Sequence, residues 1–400
     1  MTALAASLLV AVALQDTVSL ERKLLATIPK KVDVDPGLIA FAPDGRSVAY
    51  AGTKGKISFI VFGDPKKVVP FAWVEKPVFS PDGSRIAYLA NEGGQVFGGK
   101  EGVRGLSGGR WLVVAGDKKG NLYDEALGPV FDPDGKTAVF VARRMDRGTQ
   151  SYRCTLVRGG RAEPEGPESR LPVFSPDGRR TARAERDAGK NGRWRVTVDG
   201  VAGEPFDFVS DPAFRPDGGA VAYLAGTAGA TEGLSDWFVV VDAVRKPAGE
   251  GVDRLPQAPV YSADGSTLAF VAPADAFKVR LTAGDRAGSA CTAILDPVLS
   301  ADGKRVAHSA RDDADWFVVI DHDKRHGPYA QVGPAAFSTD GARVAYTARS
   351  GEVWSVFVDG KSVGDYDFAG RPIFSADGTR LAFGARTGDE LWWIVLPLDR

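Results

Sequence analysis

Three histidines, two cysteines and a few polar clusters are what this 400-residue chain offers for chemistry. The densest cluster, Asp321-His322-Asp323-Lys324-Arg325-His326, gathers metal-ligand types, and imidazoles four apart would share one face of a helix. The cluster follows a strand-like run, however, so it reads as a hairpin turn in which Lys324 and Arg325 oppose a cation. A solvated turn without metal is predicted. Gly94 to Glu101 follows the phosphate-loop pattern until Glu101 stands where the magnesium-binding hydroxyl belongs. With eight glycines between Asn91 and Arg110, this stretch is predicted to be a loose insertion and not a nucleotide cradle. Asp132-Pro133-Asp134-Gly135 begins like a calcium loop but lacks the glutamate at the twelfth position. No Gly-x-Ser-x-Gly elbow occurs. The sequence therefore assigns no catalytic residue, no metal ligand and no cofactor.

A five-residue phrase, roughly Phe-Ser-Pro-Asp-Gly, positions everything else. Copies begin at Phe41, Phe79, Phe131, Phe174, Phe214, Tyr261, Leu299, Phe337 and Phe374, spaced by 37 to 52 residues. Asp-Gly tolerates left-handed backbone, and Pro before it presets φ, so each phrase is a tight turn between two antiparallel strands. A third strand opens on an aromatic residue and ends in Val-Asp. Trp194, Trp237, Trp316 and Trp354 each stand five residues before Asp199, Asp242, Asp321 and Asp359. A period near forty with four strand signals predicts an all-β propeller of four-stranded blades, nine by count with eight as the alternative. After the ninth phrase only two strand signals remain. A segment within Val18 to Asp35 is predicted to complete that last blade by pairing near Trp392 and Trp393.

Against this regular frame two repeats deviate. Five residues after the turn glycine, seven copies carry an aromatic residue, whereas repeat four has Arg183 and repeat seven has His308. Thr181 and Glu185 share a strand face with Arg183. Buried without partners, such charges would cost several kcal/mol, roughly. They are expected either to pair inside a weak blade or to line a polar binding crevice. Trp73, outside the regular third-strand positions, is the remaining binding candidate.

Composition narrows the classes. With 44% hydrophobic and 25% charged residues the chain can bury a large core, and a net charge of −1 without basic runs argues against nucleic acid. Residues 3–14 are small and apolar, too few to span a bilayer but suited to a signal segment, although no Lys or Arg precedes them. Residues 1–14 are expected to be a signal peptide and 15–400 the propeller, exported to the periplasm or beyond. Cys154 and Cys291 fall in repeats three and six, too far apart for a disulfide.

The phrases Phe79-Ser80-Pro81-Asp82-Gly83 with Ile86-Ala87-Tyr88, and their siblings, closely resemble the WD-like repeat of TolB-type propellers. The resemblance covers residues 18 to 400. It implies a platform of the kind that holds protein partners in the bacterial envelope, though the separate α/β domain of TolB is absent. The expectation is a monomeric, non-enzymatic scaffold for a protein or peptide. Binding of a carbohydrate or peptide in the central channel is the alternative, and a channel-based hydrolase or lyase a more distant one.

Overall fold

Every Phe-Ser-Pro-Asp-Gly phrase closes the turn between the first two strands of a blade. In the computed structural model Ser80 Oγ donates to Asp82 Oδ1 (2.5 Å) and accepts from the Arg85 amide (3.0 Å). The same carboxylate oxygen accepts from the Ser84 amide (3.1 Å). Chiefly the Ser80 bond, and then those from Ser84, hold the Asp82 carboxyl down at about 2. Ser175, Ser262, Ser300, Ser338 and Ser375 repeat the bond to the aspartate two residues on. The Val-Asp phrase works differently. Asp199, Asp242 and Asp359 take positive φ, and their carboxylates accept the amides of Thr181, Val221 and Val344 at the start of the second strand.

The structure describes residues 21–97, 105–148, 151–189, 191–229, 235–251 and 257–398. They form nine antiparallel blades in a ring. Blade 3 shows the pattern in full, with strands Glu125–Phe131, Ala138–Asp146, Ser151–Arg158 and Arg161–Ala162 paired in chain order. Blade 1 keeps three, Ile39–Phe41, Val48–Lys54 and Ile57–Phe62, and its fourth is reduced to a bridge between Ser58 and Phe71. First strands approach their counterparts in neighbouring blades and so form the inner wall. Seven of them carry proline two residues before the turn aromatic, for example Pro77, Pro212 and Pro372. A residue without an N–H suits an edge that faces only the channel.

Blades join through aromatic pairs. A ring ending one blade meets the second-strand ring of the next in Phe71–Tyr88, Tyr123–Phe140, Phe206–Tyr223, Tyr329–Tyr346 and Tyr366–Phe383, with centroids 5.4 to 6.4 Å apart. Such pairs contribute about 0.5–1.5 kcal/mol beyond the area they bury. Arginines clamp the same joints from the side of the turns. Arg180 Nε donates to Asp199 (2.8 Å), its Nη1 donates to the Gly218 and Gly219 carbonyls of the next blade, and the guanidinium lies over Phe214. Arg305 does the same with Asp321, the Gly341 and Ala342 carbonyls and Phe337.

The ring closes as the sequence predicts. Strand Glu21–Thr27 pairs with Glu390–Pro397 in blade 9, setting Lys23 opposite Trp393 and Leu24 opposite Trp392. The Ile28 amide then donates to the Asp389 carbonyl (2.7 Å), and Arg386 Nη1 to that of Val34 (3.2 Å). The signal segment proposed for residues 1–14 lies outside the described residues.

Candidate functional site

The Gly-rich insertion of blade 2 is not the loose loop that its composition predicts. Gln95–Phe97 pairs with Gly105–Ser107 as a hairpin. Its root is Asn91, fully buried, whose side-chain amide donates to the Gly108 carbonyl (3.3 Å) while its oxygen accepts the Gly94 amide (3.2 Å). A Cβ on Gly94 or Gly109 would overlap the Asn91 carboxamide, which explains glycine at those two positions. Residues 98–104, which include the end of the phosphate-loop mimic, fall outside the described residues.

This hairpin overhangs a cleft of about 670 Å³ between blades 1 and 2. Ile57, Pro70 and Phe71 form its apolar side, Val96 and Gln95 the hairpin side, with Lys56 and Glu92 as charged groups. Glu92 is held by Lys119 (2.6 Å), whose ammonium also sits over the Phe71 ring. Lys56 and Phe97 stand exposed, Phe97 by 59%. Its volume falls within the usual range for ligand pockets, while its lining is about equally polar and apolar and open to solvent.

The sequence-derived candidates are not brought together. Thr181, Arg183 and Glu185 lie on strand Thr181–Arg186 of blade 4, on the side toward blade 3. There Arg183 Nε donates to Glu185 Oε1 (2.7 Å), Thr197 Oγ1 donates to the other carboxylate oxygen, and Glu163 of blade 3 lies 3.8 Å from the guanidinium. The group is a paired network inside the seam. Beyond it, Arg143 pairs with Glu125, Arg144 with Glu165 and Arg186 with Glu168. Trp73 sits in register with Asn91 and Trp111 across blade 2, beside the hairpin root. His308 is three blades from Arg183, on strand Val306–Asp312 of blade 7, and is 4% exposed.

A second expectation is corrected. The turn holding His322 is not solvated throughout, because that side chain folds under it against Gly288 of blade 6 and keeps only 8% exposure. Cys154 and Cys291 are both free and buried. Burial raises both thiols, Cys291 to about 11, so neither is a ready nucleophile. Among the described residues no three His, Cys, Asp or Glu side chains gather as metal ligands. Nor is any helix there long and apolar enough to cross a membrane.

Sequence reading missed the cleft, since its walls come from two blades. It also missed a charged mouth on the channel. Three residues before the turn aromatic, Lys76, Asp211, Asp296 and Arg371 occupy equivalent positions in four blades and are exposed. Desolvation by the surrounding wall pushes the neighbouring Glu75 carboxyl up and the Lys76 ammonium down although both side chains still reach solvent, the latter shift opposed by Asp35.

No protein-family model matches the chain, and no curated protein matches it in sequence. Among solved structures it is similar to a eukaryotic initiation factor (12% identity, 86% of this chain and 90% of that one, TM-score 0.49). It is also similar to the Dos1 propeller (11%, 93% and 94%, 0.46) and to TolB from Acinetobacter baumannii (16%, 78% and 80%, 0.31). At such identities the likeness concerns fold alone. The nine turn phrases and the ring that they build make this chain a nine-bladed β-propeller.

Proposed function

We propose that this propeller is a non-enzymatic, monomeric scaffold that holds a protein or peptide partner, exported to the cell envelope by residues 1–14. The observation that carries the reading is the Asn91-rooted hairpin overhanging the cleft of about 670 Å³. A rigid disc that displays one fixed projection beside an amphipathic groove offers a partner a preorganised surface, and recognition concentrates on such loops. The exposed Phe97 supplies an aromatic anchor and Lys56 an unpaired cation at the rim.

The test is cross-linking in envelope extract with two proteins, the intact chain and one in which residues 93–109 are replaced by a two-residue turn. A partner bound by the first and lost by the second supports the reading. Equal capture by both would move the site elsewhere. Fractionation of cells expressing the full chain checks the export step, and retention in the cytoplasm would remove the envelope from the proposal.

The charged channel mouth favours a second reading, a small carbohydrate or peptide bound among Lys76, Asp211, Asp296 and Arg371. A glycan and peptide screen against the intact chain and Arg371→Ala separates it from the first.

A further inference from the structure

Cys291 and His308 occupy the two positions of the seam between blades 6 and 7 where five other seams place a pair of aromatic rings. Both are buried. His308 Nδ1 has no hydrogen-bond partner, and neither has Nδ1 of His322, which enters the same seam from the third-to-fourth-strand turn with φ +73. One imidazole thus stands where an aromatic ring normally seals the seam and a second enters beside it from the turn, each with an unsatisfied nitrogen. We infer that this seam is an acid-sensitive joint, at which protonation of His308 and His322 frees blade 7 from blade 6 before other seams yield.

The surrounding charges favour release over rescue. From blade 7, Arg325 faces His308 across Val319, and from blade 6, Arg286 lies beside His322. The carboxylates nearby are mostly committed. Asp312 is held by Arg325 Nη2, and Asp321 by Arg305 in a bidentate contact of 3.1–3.2 Å. Asp323 on the exposed side of the turn, and Asp321 beside it, oppose Arg286 at His322, but burial outweighs them and the imidazole pKa stays lowered. Cys291 stays a neutral thiol and donates to the Ala293 carbonyl (3.3 Å), so it offers no negative charge. An imidazolium formed here would meet cations in a closed space.

Burial, then the charges of His322 and Arg325, lower the His308 pKa from 6.5 to about 4. Because the unfolded chain binds that proton first, stability is full above pH 6.5 and declines as pH falls toward 4. At pH 5 the unfolding constant is expected to be about 30-fold larger than at pH 7.5 from His308 alone.

The experiment is amide hydrogen exchange on the intact chain at pH 7.5 and 5.0, with times scaled for the intrinsic rate, alongside thermal melts. Exchange should accelerate at pH 5.0 in Val279–Ala283 and Val306–Asp312 while Ala138–Asp146 of blade 3 keeps its protection. His308→Phe, which restores the ring of the sister blades, should remove most of the acid sensitivity. Acceleration spread evenly over all blades, or a His308→Phe protein with undiminished acid sensitivity, overturns the inference. If that variant fails to fold, the regional exchange pattern of the unaltered chain decides alone.

Discussion

Trp393, in the third strand of blade 9, lays its indole on Gly45 in the first turn of blade 1, where any Cβ would overlap the ring. On the other side of the same closure Phe41 packs onto Gly384, and its ring lies 6.4 Å from that of Trp393. The two ends of the chain are therefore fitted as well as hydrogen bonded. Gly45→Ala and Gly55→Ala separate these effects, because both residues have positive φ (66° and 64°) but Gly55 has nothing within 4 Å of its would-be Cβ. Gly55→Ala should cost about 1–2 kcal/mol from backbone strain alone. Gly45→Ala should cost about 1–3 kcal/mol more from overpacking. Denaturant melts compare them, and equal losses would show that the indole contact contributes nothing to closure.

Arg180 and Arg179 stand side by side and should behave differently. Arg179 is 86% exposed and reaches only its own turn carboxylate at 3.7 Å. Arg180 joins two blades through Asp199, two backbone carbonyls and Phe214. Its side chain is about one third exposed, so solvent screens the ion pair and the carbonyl bonds supply most of the effect. Arg180→Ala should lower stability by about 1–2 kcal/mol and Arg179→Ala by less than about 0.5 kcal/mol. Chemical denaturation curves for the two variants provide the comparison.

In the seam between blades 3 and 4, Glu185 is 13% exposed and depends on Arg183 and Thr197. Arg183→Leu alone strands that carboxylate and should cost about 2–4 kcal/mol. Arg183→Phe with Glu185→Ala restores the pattern of the sister repeats and should come within about 1 kcal/mol of the starting stability or exceed it. A double variant as unstable as the single one would mean that the polar network, and not its pairing, holds this seam.

Acid should act on the turns at lower pH than on the histidine seam. The carboxyls of Asp82, Asp217 and Asp377 are held at about 2, the first and last chiefly by a serine hydroxyl two residues before and Asp217 chiefly by Arg215. Their contribution is complete above about pH 3.8, the unfolded value, and is lost as pH falls toward 2. Ser80→Ala should therefore move the acid-unfolding midpoint, followed by circular dichroism, to higher pH. A midpoint that stays in place would disconnect the turn bond from acid stability.

Local chemistry was readable from the chain and cross-blade chemistry was not. Ser-x-Asp-Gly states its own turn because donor and acceptor lie two residues apart, and Glu185 could be anticipated as the partner of Arg183 for the same reason. The acceptors of Arg180 are backbone carbonyls of Gly218 and Gly219, which have no side-chain signature. The blade 2 hairpin escaped because glycine content reads as looseness, while its order comes from one buried asparagine reaching Gly94 and Gly108. The covering of His322 by blade 6 belongs to the same class, since Gly288 lies in another repeat.

Strand Glu21–Thr27 and its partner Glu390–Pro397 are 363 positions apart in the chain. At roughly 5–20 residues per second of synthesis, the first strand waits about 20–70 s for the last to exist. Hairpins within each blade need only neighbouring residues and form as they are made, but the ring itself is sealed only after Glu390–Pro397 has been synthesised. A chain broken off anywhere before Glu390 can build blades yet has nothing for its first strand to hold. Such a chain keeps an unpaired strand edge where the two strands would otherwise meet, so the order of synthesis places the exposed-edge hazard at the joint made last.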